Sequence, residues 1–306
     1  MPAPIVIFSY NRPDHLRRTI DALRHNRLAE QSQLFIYCDG AKETASLEQK
    51  SAIERNREVA HAACGFKEVN VIERSTNYGL ARNIIGAVTE IVNRFGRIIT
   101  LEDDVIASPG FLEYMNNALD LYAEDTNVMH ISGYMYPHKG RLPDTFFYEV
   151  PYPGGGWATW KRAWRFFSDD IDSIYGYWSQ HWKQFNRFGG DYLQKQLENN
   201  HNGSMYTWFI KWHAVLLQMG GLTLYPGVSL TNNIGFDSSG SNCVTMTKFD
   251  IAHPASSIDV YRIKIKESKR AARIIRQFYS GHWYSKRYRR KLKNNILRLF
   301  GIKHET

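Results

Sequence analysis

The chain has 306 residues, 43% hydrophobic and 23% charged, ordinary proportions for a fold able to bury one large core or two joined ones. Its net charge of +9 is unevenly placed: residues 262–306 hold 15 Lys and Arg against Glu267 and Glu305, and the remainder is slightly acidic. Three scattered cysteines, Cys38, Cys64 and Cys243, exclude a disulfide framework and any zinc spacing, and no apolar run nears the roughly 18 residues of a membrane span.

The chain enters a strand-like run at Ile5 without a charged leader, so the expected location is the cytoplasm. Apolar runs predict strands at residues 4–8, 34–38, 68–72 and 97–101, with helical periodicity between them. Leu16, Ile20 and Leu23 recur at i, i+4 and i+7 behind Pro13, which suits a first helical turn. Ile84, Val88, Ile91, Val92 and Phe95 form a stripe that ends at Gly96, a natural helix stop. Successive βα units predict an α/β fold of Rossmann-like kind, a mostly parallel sheet with flanking helices. Such sheets bind ligands outside the carboxyl ends of their strands. Those ends carry Ser9-Tyr10-Asn11-Arg12, Asp39-Gly40 and Glu102-Asp103-Asp104. No GxGxxG or GxxxxGK[ST] loop is present, which disfavours dinucleotide enzymes and P-loop NTPases.

Three acids directly after the apolar run 98–101 repel one another and call for a cation. Mg²⁺ and Mn²⁺ take oxygen ligands, commonly one or two carboxylates plus phosphate oxygens of a substrate. Helix capping is the competing explanation, but Ser108-Pro109 offers its own cap and first turn ahead of Phe111, Leu112, Met115 and Leu119.

Past residue 130 the alternation fades, and residues 150–245 are rich in Trp, Tyr, Gly and Asn, with a helical stretch at 208–219. The expected division is a nucleotide-binding half at 1–130, an acceptor-binding half at 131–261 and a basic tail at 262–306. In Gly154-Gly155-Gly156-Trp157 the glycines admit close approach of a ligand, and Trp157 or Trp160 could stack on a sugar ring or equally fill a core. The run 232–242, rich in small and hydroxyl residues, suits a lid over a bound ligand. In the tail, Leu292, Ile296, Leu299 and Phe300 fall on one helical face among Lys and Arg, the pattern of an amphipathic helix that docks on anionic lipid. Nucleic acid is the rival partner for such a segment, but no nucleic-acid module accompanies it, so none is expected.

Four segments in order, Tyr10-Asn11-Arg12-Pro13, Cys38-Asp39-Gly40, Leu80-Ala81-Arg82-Asn83, and Leu101-Glu102-Asp103-Asp104-Val105 with Pro109-Gly110-Phe111-Leu112-Glu113-Tyr114, resemble the GT-A glycosyltransferases. In particular they are similar to the family of N-acetylglucosaminyltransferase I and its bacterial relatives. The resemblance implies a GT-A fold and transfer of a sugar from a nucleoside diphosphate donor, UDP-linked, to a saccharide or lipid-linked saccharide, with Mn²⁺ or Mg²⁺. It implies that Arg12 meets the nucleotide or its phosphates and that Asp39 accepts from the base. Asn83 stands where the family has a donor-contacting His. Asp104 would ligate the metal, Glu102 and Asp103 would hold ribose or sugar hydroxyls, and Ser239 in the lid would contact the donor.

An inverting transfer also needs a general base. Where the family carries an acid, Met205-Tyr206-Thr207-Trp208 has none, so the base is sought at Asp191 or Asp237, with Glu198, Asp169 and Asp170 as further candidates. A nucleotidyltransferase acting on a sugar phosphate is the second reading, and a catalytically silent saccharide-binding protein at a membrane is the third. A lipid-linked acceptor would place the protein at the inner face of the membrane, in surface polysaccharide synthesis.

Overall fold

A computed structural model describes residues 1–186, 191–235, 237 and 249–279. In chain order these form β1 (Ile5–Ser9), α1 (Pro13–Arg24), β2 (Gln33–Cys38), α2 (Leu47–His61), β3 (Glu68–Glu73), α3 (Leu80–Phe95), β4 (Arg97–Glu102), β5 (Val105–Ala107) and α4 (Phe111–Leu121). Then follow β6 (Val128–Ser132), β7 (Thr145–Tyr148), β8 (Trp157–Trp160), α5 (Lys161–Trp164), α6 (Ile171–Trp178), α7 (Trp182–Phe185), α8 (Tyr192–His201), α9 (Trp208–Gln218), β9 (Leu222–Pro226) and β10 (Thr231–Asn233). A further helix, α10, covers residues 269–279.

The four strands read from the sequence all form, each within a residue or so of its expected ends. They make the parallel run β3-β2-β1-β4 of an eight-stranded sheet. Ile5 and Ile7 face one core while Val6 and Phe8 face another, so β1 alternates between two buried faces. α1 and α4 cover the first face, α3 and α9 the second. Gly96, with φ of 80°, takes the left-handed position that ends α3, and its N–H donates to Val92 O at 2.8 Å.

Beyond β4 the sheet is mixed. β8 pairs antiparallel with both β4 and β6, so strands from either side of residue 130 share one sheet. α9 is apolar almost all round, as a helix buried between layers must be. Tyr134, Tyr136, Tyr152, Tyr148 and Tyr225 join α6–α10 in a third core. Ala271, Ala272 and Ile275 of α10 are buried there, and Ile258, Val260, Ile263 and Ile265 pack on the first core. Residues 262–279 of the basic segment are therefore part of the folded body. The expected amphipathic face at Leu292–Phe300 lies outside the described residues.

Candidate functional site

The carboxyl ends of the parallel strands are laced together by main-chain bonds. Arg74 N donates to Cys38 O at 2.9 Å, Asp39 N to Ser9 O at 2.9 Å and Asp103 N to Phe8 O at 3.0 Å. Adjacent strands lie close to 4.8 Å apart, so residues that follow β1, β2 and β4 are forced into one cleft edge.

Arg12, just before α1, reaches across to the acids after β4. Its Nη2 donates to Asp103 Oδ1 and, at 2.8 Å, to Asp104 Oδ2. Burial works against the guanidinium's charge, but Asp103 and Asp104 more than offset it, so its pKa is raised and it stays protonated. Asp103 and Asp104 are buried, and Thr19 Oγ1 donates to Asp103 O at 2.7 Å. Burial and like charge push the Glu102 carboxyl up; Asp103 is raised by burial, with Arg12 opposing. The acids crowded around Arg12 offer hard oxygens, and a divalent ion beside them would favour their ionised forms.

A two-stranded ribbon closes over this corner. β10 pairs antiparallel with β5, Asn233 opposite Val105. Asn233 Nδ2 then donates to Asp104 Oδ1 at 3.1 Å, and Ile234 N to Asp104 O at 2.8 Å. Gly235 lies so close that a Cβ there would overlap Asp104 Oδ2 and Arg12 Nη1. Only glycine fits. The next described residue, Asp237, has Oδ2 3.1 Å from His15 Nε2 on α1.

Asp39 sits at the end of β2 and holds the entry to α3. Its Oδ1 accepts from Gly40 N (2.9 Å) and Tyr78 N (2.8 Å), and its Oδ2 from Asn77 Nδ2 (3.0 Å) and Gly79 N (2.9 Å). α3 has no side-chain cap of its own, so this carboxylate serves its N-terminus. Asn83, in the first turn, is buried and accepts from Arg74 Nε at 3.1 Å; the Arg74 guanidinium lies over the rings of Tyr37 and Tyr78.

The structure thus brings Arg12, Glu102, Asp103 and Asp104 to one corner and Asp39 and Asn83 to the neighbouring strand ends, with Asp237 beside His15 on α1. Asp191 is elsewhere, at the start of α8, with Oδ2 2.8 Å from Lys195 Nζ. Ser239 and most of the expected lid, 232–242, lie outside the described residues. Asn233 and Gly235 were not singled out by sequence reasoning. Their signal was the adjacency of Asn-Ile-Gly to a short strand, too local to disclose a partner at residue 104.

One further feature departs from expectation, and one reading left open is decided. Ser108 makes no side-chain cap; Gly110 occupies the N-cap of α4, and Ser108 O accepts from Phe111 N at 3.0 Å. Trp157 and Trp160 are buried: Trp157 stacks between His130 and Trp208, and Trp160 Nε1 donates to Leu119 O at 3.0 Å. They fill the core. The Tyr206 stretch, which has no acid of its own, gains one through space, for Tyr206 Oη donates to Asp169 Oδ2 at 2.7 Å and Lys211 Nζ pairs with Oδ1.

The GNT-I family model matches residues 1–189, which contain every strand-end residue above and β5, but not Asn233, Gly235 or Asp237. An alpha-1,3-mannosyl-glycoprotein 2-beta-N-acetylglucosaminyltransferase from Arabidopsis thaliana is 24% identical over 217 residues, covering 67% of this chain and 44% of its own. The match thus spans less than half of that relative's length. Among solved structures, mouse xyloside xylosyltransferase 1 in its apo form shows 13% identity and a TM-score of 0.38, covering 72% of this chain and 82% of its own. Galactosyltransferase LgtC in complex with donor and acceptor sugar analogues shows 10% identity and a TM-score of 0.37, covering 72% of each chain.

Proposed function

The chain belongs to the GNT-I family, and from that premise we propose that it is a nucleotide-sugar-dependent glycosyltransferase. The donor is UDP-linked, the acceptor is a saccharide, and the role is in surface polysaccharide synthesis. The observation that carries this is the corner where Arg12 and Asn233 hold the two oxygens of a buried Asp104 at the carboxyl ends of β1 and β4.

Mn²⁺ or Mg²⁺ fits the donor chemistry of this corner. Asp104, flanked by Glu102 and Asp103, offers hard oxygens; among the described residues no three His, Cys, Asp or Glu side chains converge on one point, so phosphate oxygens of the donor would complete the set. When bound, such an ion would neutralise charge developing on the departing diphosphate. Arg12, freed from Asp104, would turn its planar fork to the phosphates. Glu102 and Asp103 would meet ribose or sugar hydroxyls. Asp39 would act chiefly by ordering the 77–79 turn that sets Asn83; a bond from a uracil N–H requires one of its four present donors to give way.

In an inverting transfer the acceptor oxygen attacks the anomeric carbon as the bond to the diphosphate breaks, and the hydroxyl proton passes to a base. Asp237 suits that task better than Asp191, because it lies two residues past Gly235, which packs on Asp104, whereas Asp191 lies at the start of α8. Ser239 would belong to the segment that covers the donor. The basic residues of 262–306 support a lipid-linked acceptor met at the anionic inner face of a membrane. No helix among the described residues is long and apolar enough to cross one.

The test is a thermal-shift panel of UDP, GDP, CMP and ATP with and without Mn²⁺, on wild type and Asp104→Ala. A UDP shift that requires metal and vanishes in the variant, together with loss of sugar transfer, is the expected outcome. Pyrophosphate release from a nucleoside triphosphate would instead favour a nucleotidyltransferase. Saccharide binding without turnover would favour a silent binder.

A further inference from the structure

Asp104 is held from two sides by groups of different kinds. Arg12 is charged, shared with Asp103, and bound to Oδ2. Asn233 is neutral and holds the other oxygen, so it does not compete with a cation.

The Asn233 amide is nearly fully committed. Besides the bond to Asp104 Oδ1, Nδ2 donates to Gly154 O at 3.0 Å, and Oδ1 accepts from Gly235 N at 2.8 Å. This pattern fixes which way the amide faces: rotated by half a turn, its oxygen would meet a carboxylate and a carbonyl, and its N–H₂ would meet an N–H. The residue is only 8% exposed. Its main chain is locked by the β5–β10 ribbon, with Ile234 N on Asp104 O. The acidic turn, the glycine turn at 154–156 and the chain leaving β10 therefore meet on a single side chain.

We infer that Asn233 is the positioning residue for Asp104: it pins Oδ1 and so fixes the rotamer in which the carboxylate would serve a divalent cation. With Oδ1 held by Asn233, release of Arg12 from Oδ2 would leave the carboxylate in its present rotamer. The contact between Asn233 Oδ1 and Gly235 N ties the same orientation to the segment that starts at residue 235. This inference rests on the donor-site reading of Asp104.

The experiment titrates Mn²⁺ at saturating UDP and follows the thermal midpoint of the full chain. Asn233→Leu keeps the branched shape and removes the three hydrogen bonds. Thr231→Val is the control: Thr231 Oγ1 donates to Gly155 O at 2.7 Å, so its loss injures the same ribbon and the same glycine turn without touching Asp104. Loss of a group that orients a metal ligand typically weakens metal affinity about 10- to 100-fold. The Mn²⁺ concentration giving half the UDP shift should rise at least about tenfold in Asn233→Leu and stay near wild type in Thr231→Val. If Asn233→Leu gives no cooperative melt, Asn233→Ser is read in its place against the same criterion. Equal Mn²⁺ requirements in wild type and the Asn233 variant overturn the inference and leave the donor site standing, and a matching rise in Thr231→Val overturns it as mere structural damage. Absence of any Mn²⁺-linked UDP shift in wild type overturns both.

Discussion

At the scale of single residues, two histidines couple the fold to pH. His130 and His213 are fully buried, and burial depresses both to about 3. His130 Nδ1 accepts from Trp212 Nε1 at 3.2 Å, which requires that nitrogen to be unprotonated. An unfolded His titrates near 6.5, so below that pH the unfolded chain takes up protons that the folded chain refuses. The stabilising effect of each neutral His is thus complete above about pH 6.5 and fades as pH falls towards 3. Glu102 and Asp103 act with opposite sign, because their folded values are raised and their contribution fades as pH rises. The difference between wild type and His213→Leu separates the two effects. Urea melts at pH 6, 5 and 4 should show the variant losing less stability on acidification, by about 1.4 kcal/mol per pH unit; parallel curves would refute it. Among the acids, Asp237→Asn should cut the rate of sugar transfer by about 100-fold or more, the scale of general-base catalysis, and Asp191→Asn should leave it nearly intact. Initial rates at saturating donor and acceptor distinguish them, and the reverse order would exchange the two assignments.

At the scale of elements, the β5–β10 ribbon decides the site. Five residues of strand and turn, 231–235, carry the main-chain bonds that bring Asn233 and Gly235 against Asp104. Gly235→Ala would drive a methyl group into the Asp104 carboxylate and push the segment away. Metal-linked UDP binding should drop by tenfold or more, as expected when a metal ligand loses its support, while the midpoint of the ligand-free protein changes little. Calorimetric titration with UDP and Mn²⁺ measures the first, and unchanged affinity would mean the ribbon is not part of the site. α2 shows how an element outside the site behaves. Ser46 Oγ accepts from Gln49 N at 3.1 Å while Gln49 Oε1 accepts from Ser46 N at 3.0 Å, a reciprocal cap at an exposed end. Ser46→Ala should cost about 1 kcal/mol in a urea melt and leave nucleotide binding alone.

At the scale of the whole molecule, the sheet runs without a break from the strands that carry the acids to those of the second half, through β8. The basic segment divides differently from its charge. Residues 262–279 are built in: Arg262 Nη2 lies 2.7 Å from Asp125 Oδ1, Ile263 N donates to the Tyr122 hydroxyl at 3.1 Å, and α10 buries Ala271, Ala272 and Ile275. Residues 280–306 carry eight Lys and Arg against Glu305. Truncation after residue 279 should preserve a cooperative melt and nucleotide binding while abolishing retention on vesicles containing phosphatidylserine. Truncation after residue 261 should destabilise the fold as a whole. Equal vesicle binding by the 1–279 chain and the full chain would remove the membrane surface from the proposal.

The chain's own local patterns determined the four parallel strands, the helices α1 and α3, and the acids and arginine at the strand ends. Those features depend on period, on a glycine stop at Gly96 and on a proline start at Pro13, all short-range and readable in one dimension. Only the tertiary structure decided that Asn233 meets Asp104, that Asp39 spends its carboxylate on the turn before α3, and that Trp157 and Trp160 fill a core instead of facing a ligand. Asn233 and Asp104 are 129 residues apart in sequence. Nothing local distinguishes a loop asparagine from one that closes a site, because its partner is chosen by strand pairing and by burial, which belong to the folded chain.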